Sequence, residues 1–287
     1  NGDDVIITNL NIGVRLTNAT PSLASILLSN KCTLIFSNWD TSLTATNVTI
    51  RTNAVMTLPA AFSNGWMSNR VWIICSNLSV VDNGKIDVDG KGYMGAPSGS
   101  AASGSGPGGG SRGYSGTGHG GGGGYGGRGG RSLSTASRGA IYGSSNAPVL
   151  PGSGGGAGLA AGRDGTRGGG LIWINATDTI TLNGSLLADG ETIVNGYGGA
   201  GSGGGIYLRC LTFAGGSNGL LRAKGGSGGG NQGGGGGGRI AVWRRADRHF
   251  FQGSYSVTNG TSYTTDAEVG TVFLGVIPPP GTIVSFR

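Results

Sequence analysis

Four stretches of this chain begin on an apolar residue and reach a glycine thirteen positions later. They run from Val71 to Gly84, Leu171 to Gly184, Ile206 to Gly219 and Ile240 to Gly253. Each glycine opens a second short pattern: GKIDVDG at 84–90, GSLLADG at 184–190, GLLRAKG at 219–225 and GSYSVTN at 253–259. Recurrence at a fixed offset marks a repeat architecture, in which a unit has a hydrophobic face that only a neighbouring unit can cover. The starts lie 100, 35 and 34 residues apart, so the first interval holds one repeat plus a long insertion.

Each unit reads as two or three short strands. Ile86/Val88, Leu186/Ala188, Leu221/Ala223 and Tyr255/Val257 alternate with polar positions, the period of a half-buried strand. In the first strand, Val71/Ile73, Leu171/Trp173, Ile206/Leu208 and Ile240/Val242 are read as one buried face. Stacked in parallel, equivalent strands would lie ~4.8 Å apart. Parallel crossovers are overwhelmingly right-handed. The expected fold is therefore all-β, a right-handed parallel β-solenoid. Its repeats would occupy 33–260, with 33–50 a degenerate coil and a glycine-rich insertion at 91–170. Residues 1–32 read as N-terminal strands, a cap or an assembly segment, and 261–287 as a C-terminal strand segment. Val71, Leu171, Ile206 and Ile240, with Gly84, Gly184, Gly219, Gly253 and Gly90, Gly190, Gly225, are the positions expected to stack.

Glycine supplies 65 of the 287 residues, against a usual ~7%. Most of it follows the units, in 90–170, 190–205 and 225–238. Such segments have no side chains with which to build a core, and they lose much entropy on ordering. They can order by lying side by side and exchanging backbone hydrogen bonds, since extended polyproline-II chains leave every N–H and C=O available. A polyglycine-II-like layer along one side of the solenoid is the expectation, with irregular glycine loops the alternative. The glycine lacks the strict triplet phase of collagen. A helical bundle is disfavoured, because glycine costs ~1 kcal/mol per helical position. No apolar run approaches the ~18 residues of a membrane span.

The units IWINATDTITLNGSLLADG, GGAGSGGGIYLRCLTFAG and GGGGGGRIAVW resemble motifs of large secreted, glycine-rich β-helix-like proteins of environmental bacteria. The resemblance covers roughly 30–260 and implies an extracellular surface or matrix protein, with no catalytic residues to carry over. Asn1 in place of an initiator Met fits a secreted chain whose leader has been removed. Cys32, Cys75 and Cys210 show no metal-binding spacing and read as buried thiols rather than a bridge.

Candidate chemistry is sparse. Asp89 and Asp189 share one repeat offset, Lys224 continues it, and Asp87 lies two residues away on the same face. With Arg222 they are the only carboxylate–arginine cluster the repeat can build. A cation site or a lyase-type site is one reading. A solvated face with a cross-coil ion pair, worth ~0–1 kcal/mol, is the preferred one. His119 and His249 sit in no recognisable catalytic pattern. Tyr125-Gly-Gly-Arg128-Gly-Gly-Arg131, with Arg112, Arg138, Arg163 and Arg167 nearby, resembles an RNA-binding stretch, but such stretches work as disordered chains. These arginines are expected to meet anionic polysaccharide or to bond carbonyls of the glycine layer. Trp39, Trp66, Trp72 and Tyr207 are candidate sugar-binding aromatics, Trp72 and Tyr207 sharing an offset that faces away from the core row, although a second packed face is the preferred reading. The Asn-x-Ser/Thr sites at Asn18, Asn47, Asn77, Asn175, Asn183 and Asn259 fall partly on predicted strands.

The expectation is thus a secreted or cell-surface structural protein, a self-associating filament, sheath or matrix subunit joined through terminal strands. It needs no cofactor, metal or catalytic site, no nucleic acid and no membrane span. An adhesin or polysaccharide-binding module is the alternative, and a polysaccharide-cleaving β-helix enzyme the third.

Overall fold

The computed structural model describes residues 2–63, 67–99, 102–114, 118–133, 136–159, 163–194, 196–263, 266–279 and 281. These residues are all-β, with two parallel sheets and a single turn of 3-10 helix at Ala246–Arg248. The first sheet orders β1 (Asp4–Ile7), β3 (Leu23–Leu28), β5 (Leu43–Ile50), β7 (Val71–Val80), β9 (Leu171–Leu182), β11 (Gly205–Arg209), β14 (Arg239–Arg244) and β17 (Thr271–Val276). The second orders β2 (Gly13–Leu16), β4 (Thr33–Phe36), β6 (Val55–Thr57), β8 (Lys85–Asp87), β10 (Ser185–Leu187), β13 (Leu220–Arg222) and β16 (Ser254–Ser256). The chain visits the sheets by turns. Beyond β9 the long strand divides, and β12 (Thr212–Gly215) and β15 (His249–Phe251) continue its far half.

Period-2 alternation puts every second residue inside. In the second sheet Val14, Leu34, Met56, Ile86, Leu186, Leu221 and Tyr255 pair in register. The five from Leu34 to Leu221 are fully buried. In the first sheet Val5, Ile26, Val48, Leu78, Ile180 and Phe213 form a matching row. Both rows belong to one hydrophobic cluster. Burying each such side chain contributes about 1.5–3 kcal/mol.

Residues in the left-handed conformation bend the chain from the first sheet to the second: Asn11, Lys31, Asn53 and Asn83 have φ of 59°, 60°, 63° and 60°. Asparagine tolerates this region better than most residues. The residue after each bend begins a backbone ladder. Thr33 N–H donates to Ile12, Val55 to Cys32, Lys85 to Ala54, Ser185 to Gly84, Leu220 to Gly184 and Ser254 to Gly219, at 2.8 to 3.1 Å. The spacing Gly84, Gly184, Gly219, Gly253 read from sequence is the upper part of this ladder.

The first-strand register departs from the expectation by one residue. Val71 pairs with Ile172, which pairs with Ile206, which pairs with Ile240; Leu171 pairs with Gly205. Two unequal length changes cause it, the first being one extra residue in β9: Cys75 faces Ala176, but Asn77 faces Thr179. The chain recovers by a shorter turn, so that Val80 faces Leu182 while Lys85 faces Ser185. The strand gains one residue and the turn loses two, so Ile172, the true partner of Val71, reaches Gly184 in twelve residues and the count of thirteen falls on Leu171 instead. Leu171 is still buried, but Trp173 belongs to the outer row with Trp72 and Tyr207 rather than to the core.

The glycine segments pack beside the sheets with their peptide groups bonded to one another. The buried stretch 120–127 bonds to six others: Gly121 N–H to Ser111, Gly122 to Gly130, Gly139 to Gly122, Gly156 to Gly121, Gly123 to Ala200 and Gly236 to Gly123, at 2.8 to 3.0 Å. Gly170, Gly204, Gly238 and Gly270 donate to Val88, Ala188, Ala223 and Val257 and tie the segments to the second-sheet ends. Chains this close leave no room for side chains. A Cβ on Gly122 would lie 1.8 Å from the Gly234 oxygen, and one on Gly199 1.8 Å from the Gly121 oxygen.

Gly122→Ala and Gly199→Ala are therefore expected to cost about 3 kcal/mol or more, because the obstructing atoms are backbone that is itself bonded. Gly230→Ala, whose Cβ meets nothing within 4 Å, should leave stability within about 0.5 kcal/mol. Denaturant melts of the three variants check this; equal losses would remove the close-packing argument.

Candidate functional site

The second-sheet strands end on the carboxylate cluster. Asp87 ends β8, and Asp89 and Asp189 follow their strands by two residues. Asp189 N–H donates to Asp89 Oδ1 at 2.6 Å and Lys224 N–H to Asp189 Oδ1 at 2.7 Å, the rung-to-rung order expected from the repeat. Arg222 joins the two acids, with Nε 2.6 Å from Asp189 Oδ2 and a terminal nitrogen 3.4 Å from Asp89 Oδ2. Asp87 stands apart, because Leu187 lies between it and Arg222 in the register. It pairs with Lys85 Nζ at 2.8 Å and accepts from Asp89 N–H at 3.2 Å.

All six oxygens of the three aspartates thus have protein donors. A Ca²⁺ site would need six to eight oxygens. No group of three or more His, Cys, Asp or Glu side chains among the described residues is arranged to hold a metal. Burial, then the neighbouring Asp189 and Asp87 charges, raise the Asp89 carboxyl to about 7. Burial also raises Asp189. Beside them an open depression of about 260 Å³ is bounded by Lys91, Arg167 and Glu191. Arg167 grips Glu191 bidentately at 2.8 Å, which holds that carboxyl below its usual range. The arrangement is a cross-rung charge ladder with one acid poised near neutrality.

The outer face of the first sheet carries an aromatic row. Trp72, Trp173 and Tyr207 pair in register, with ring centroids 5.7 and 5.9 Å apart. The buried Arg70 guanidinium lies 4.1 to 4.9 Å from the rings of Trp39, Trp72 and Trp173, and its Nε donates to the Trp39 carbonyl at 2.8 Å. Such stacking is worth ~0.5–2 kcal/mol. The sequence reading missed both Trp173 and Arg70. The tryptophan was hidden by the register irregularity; the arginine lies outside the repeat, and its position immediately before Val71 was the available signal. Trp66 lies outside the described residues.

Other candidates are absorbed by the protein. Tyr125 is fully buried, its ring 4.7 Å from that of Tyr142 and 5.4 Å from the Arg239 guanidinium. Arg128 pairs with Glu268, and Arg131 and Arg138 with Asp266, at 4.0, 3.5 and 3.5 Å. Arg163 lies over Tyr197 and Arg112 over Tyr114. His119 is buried against Tyr197, and His249 stacks on Phe213. Asn77 donates to Asn47, Asn175 accepts from Trp173, and Asn183 accepts from Gly216 N–H. The three cysteines are free and buried, and burial raises Cys75 and Cys210 to about 12. No helix of the described residues is long and apolar enough to cross a membrane.

Comparison with known proteins gave no matching family model, no matching curated protein and no matching solved structure.

Asp89 supplies a pH test. Its folded-state value lies above the ordinary aspartate value, so the folded chain holds this proton more tightly than the unfolded one. That contribution is complete below the ordinary aspartate range and is lost as pH rises through about 7. Asp89→Asn, which stays neutral, should therefore gain stability relative to the unsubstituted protein as pH rises over that window. Paired melts at pH 5 and pH 8 (both set by that window) measure the difference; a difference independent of pH would contradict the assignment.

Proposed function

We propose that this chain is an extracellular structural subunit that adds end to end with copies of itself, forming a filament, sheath or matrix layer. The observation that carries this reading is that the core rows are cut open at the sheet edges. At the β17 edge Val272 and Leu274 stand in register with the buried Ile240 and Val242, yet are 41% and 42% exposed. At the β1 edge Val5 and Ile7 are only partly buried against the core, and Ile6 is 64% exposed. Parallel edge strands present unpaired peptide groups together with apolar side chains, the combination that recruits another strand. A contact between opposite ends is head-to-tail, and it propagates as an open filament wherever its rotation does not close a ring.

Two finer structural readings support the same view. The alternation of strands between the sheets fits a right-handed parallel β-solenoid, one coil per visit to both sheets. The six-fold bonding around 120–127 fits a polyglycine-II-like layer, because a helix of three residues per turn directs its peptide groups to neighbours all round. Resemblance to secreted glycine-rich β-helix-like proteins of environmental bacteria supports an extracellular place, and we assign no catalytic role.

Electron microscopy and light scattering of the purified chain test the proposal. Elongated assemblies are expected, and Val272→Asp with Leu274→Asp should give monomers of unchanged melting temperature. A monodisperse monomer from the unsubstituted chain would end the reading.

A further inference from the structure

An open groove of about 530 Å³ lies on the outer face of the first sheet, along β9 and β11. Its wall is aromatic and aliphatic, from Trp173, Tyr207 and Ile74, and its polar groups are Asn175, Thr177 and Arg209. Trp173 and Asn175 pair with Tyr207 and Arg209 and point outward along two neighbouring strands, with Thr177 and Leu211 following them along the groove. At ~3.3 Å per residue the groove extends ~13 Å, room for a short run of sugar units rather than a single one.

The distribution of charge singles out Arg209. The nearby arginines are spent on the protein: Arg70 on the Trp39 carbonyl, Arg239 on the Tyr142 carbonyl, Arg244 on the Gly275 carbonyl and Arg245 on Asp247. Arg209 is exposed, and its guanidinium makes no hydrogen bond or ion pair among the described residues. Among the described residues, no carboxylate side chain lines the groove. The aromatic side is already fixed, with Trp173 stacked on Trp72 and tilted against Tyr207 and its Nε1 donating to Asn175 Oδ1 at 3.3 Å. A wall that is ordered before binding avoids part of the entropy cost of association.

The geometry points to a binding site for an acidic polysaccharide, a run of uronic-acid sugars, in this groove. The apolar C–H face of a pyranose ring lies against Trp173 and Tyr207. Its hydroxyls meet the Asn175 amide and the Thr177 hydroxyl. Its carboxylate takes the fork of Arg209, a bidentate geometry that lysine cannot offer. A neutral sugar would leave the guanidinium unmatched, and a simple inorganic anion would leave the aromatic wall unused. The site is complete within one chain, so it stands or falls separately from end-to-end assembly.

The test is calorimetric titration of the full chain with a short oligogalacturonate at physiological ionic strength, with a neutral glucan oligomer of equal length in parallel. Tryptophan fluorescence provides a second readout. The acidic oligomer is expected to bind and to perturb the fluorescence, and the neutral one not to bind. Arg209→Gln should weaken binding at least about tenfold with no change in melting temperature, as loss of a charged hydrogen bond requires. Arg51→Gln removes one positive charge from an exposed turn away from the groove and should leave affinity unchanged. No binding, equal binding of the neutral oligomer, or equal weakening by both substitutions would overturn the proposal. The last outcome would show attraction to net charge alone.

Discussion

A peptide group taken out of water costs free energy unless it finds a partner. Two solutions to that requirement operate side by side in this chain. In the two sheets each strand bonds to the strand before and after it, and side chains fill the space between the sheets. In the glycine segments there is no side-chain core, and backbone packs directly on backbone. The stretch 120–127 is buried as the leucine rows are, with backbone hydrogen bonds to six surrounding segments. Polar satisfaction and exclusion of water are there the same event.

The two regions depend on each other through their junctions. Gly170, Gly204, Gly238 and Gly270 bond back to Val88, Ala188, Ala223 and Val257 at the ends of the second sheet. The rung spacing of the sheets is thus passed on to the glycine segments that follow. Charged side chains act at the margins: Arg167–Glu191, Arg138–Asp266 and the Asp89–Asp189–Arg222 ladder each tie distant segments together. Partly exposed pairs contribute little stability individually. Their arrangement does fix which segment lies next to which.

Much of this was legible from residue order. The alternation in 84–90, 184–190 and 219–225 identified the buried positions of the second sheet, because period 2 and one-sided burial are the same fact. The stacking of Asp89 on Asp189, with Lys224 next, followed from the shared offset. Leu171 and Trp173 were misplaced for a specific reason. An extra residue in β9 and a turn two residues shorter after it leave a net deficit of one, so the count of thirteen back from Gly184 lands on Leu171 instead of Ile172. The N-terminal rungs were harder to see, since Ile12, Cys32 and Ala54 occupy the place that glycine takes later. The left-handed bends before them are asparagine or lysine, residues with other uses.

Sequence by itself determined the β class, the repeat, the inward rows and the need for glycine backbones to pair with something. Those follow from local period and composition, which any stretch of chain carries within itself. Tertiary structure alone decided which glycine segment bonds to which, that Arg70 caps the tryptophan row, and that Arg209 is left unmatched beside Trp173 and Tyr207. Each of these joins residues through space rather than through spacing. Their partners are chosen by backbone geometry that glycine, having no side chain, leaves unwritten in the order of residues.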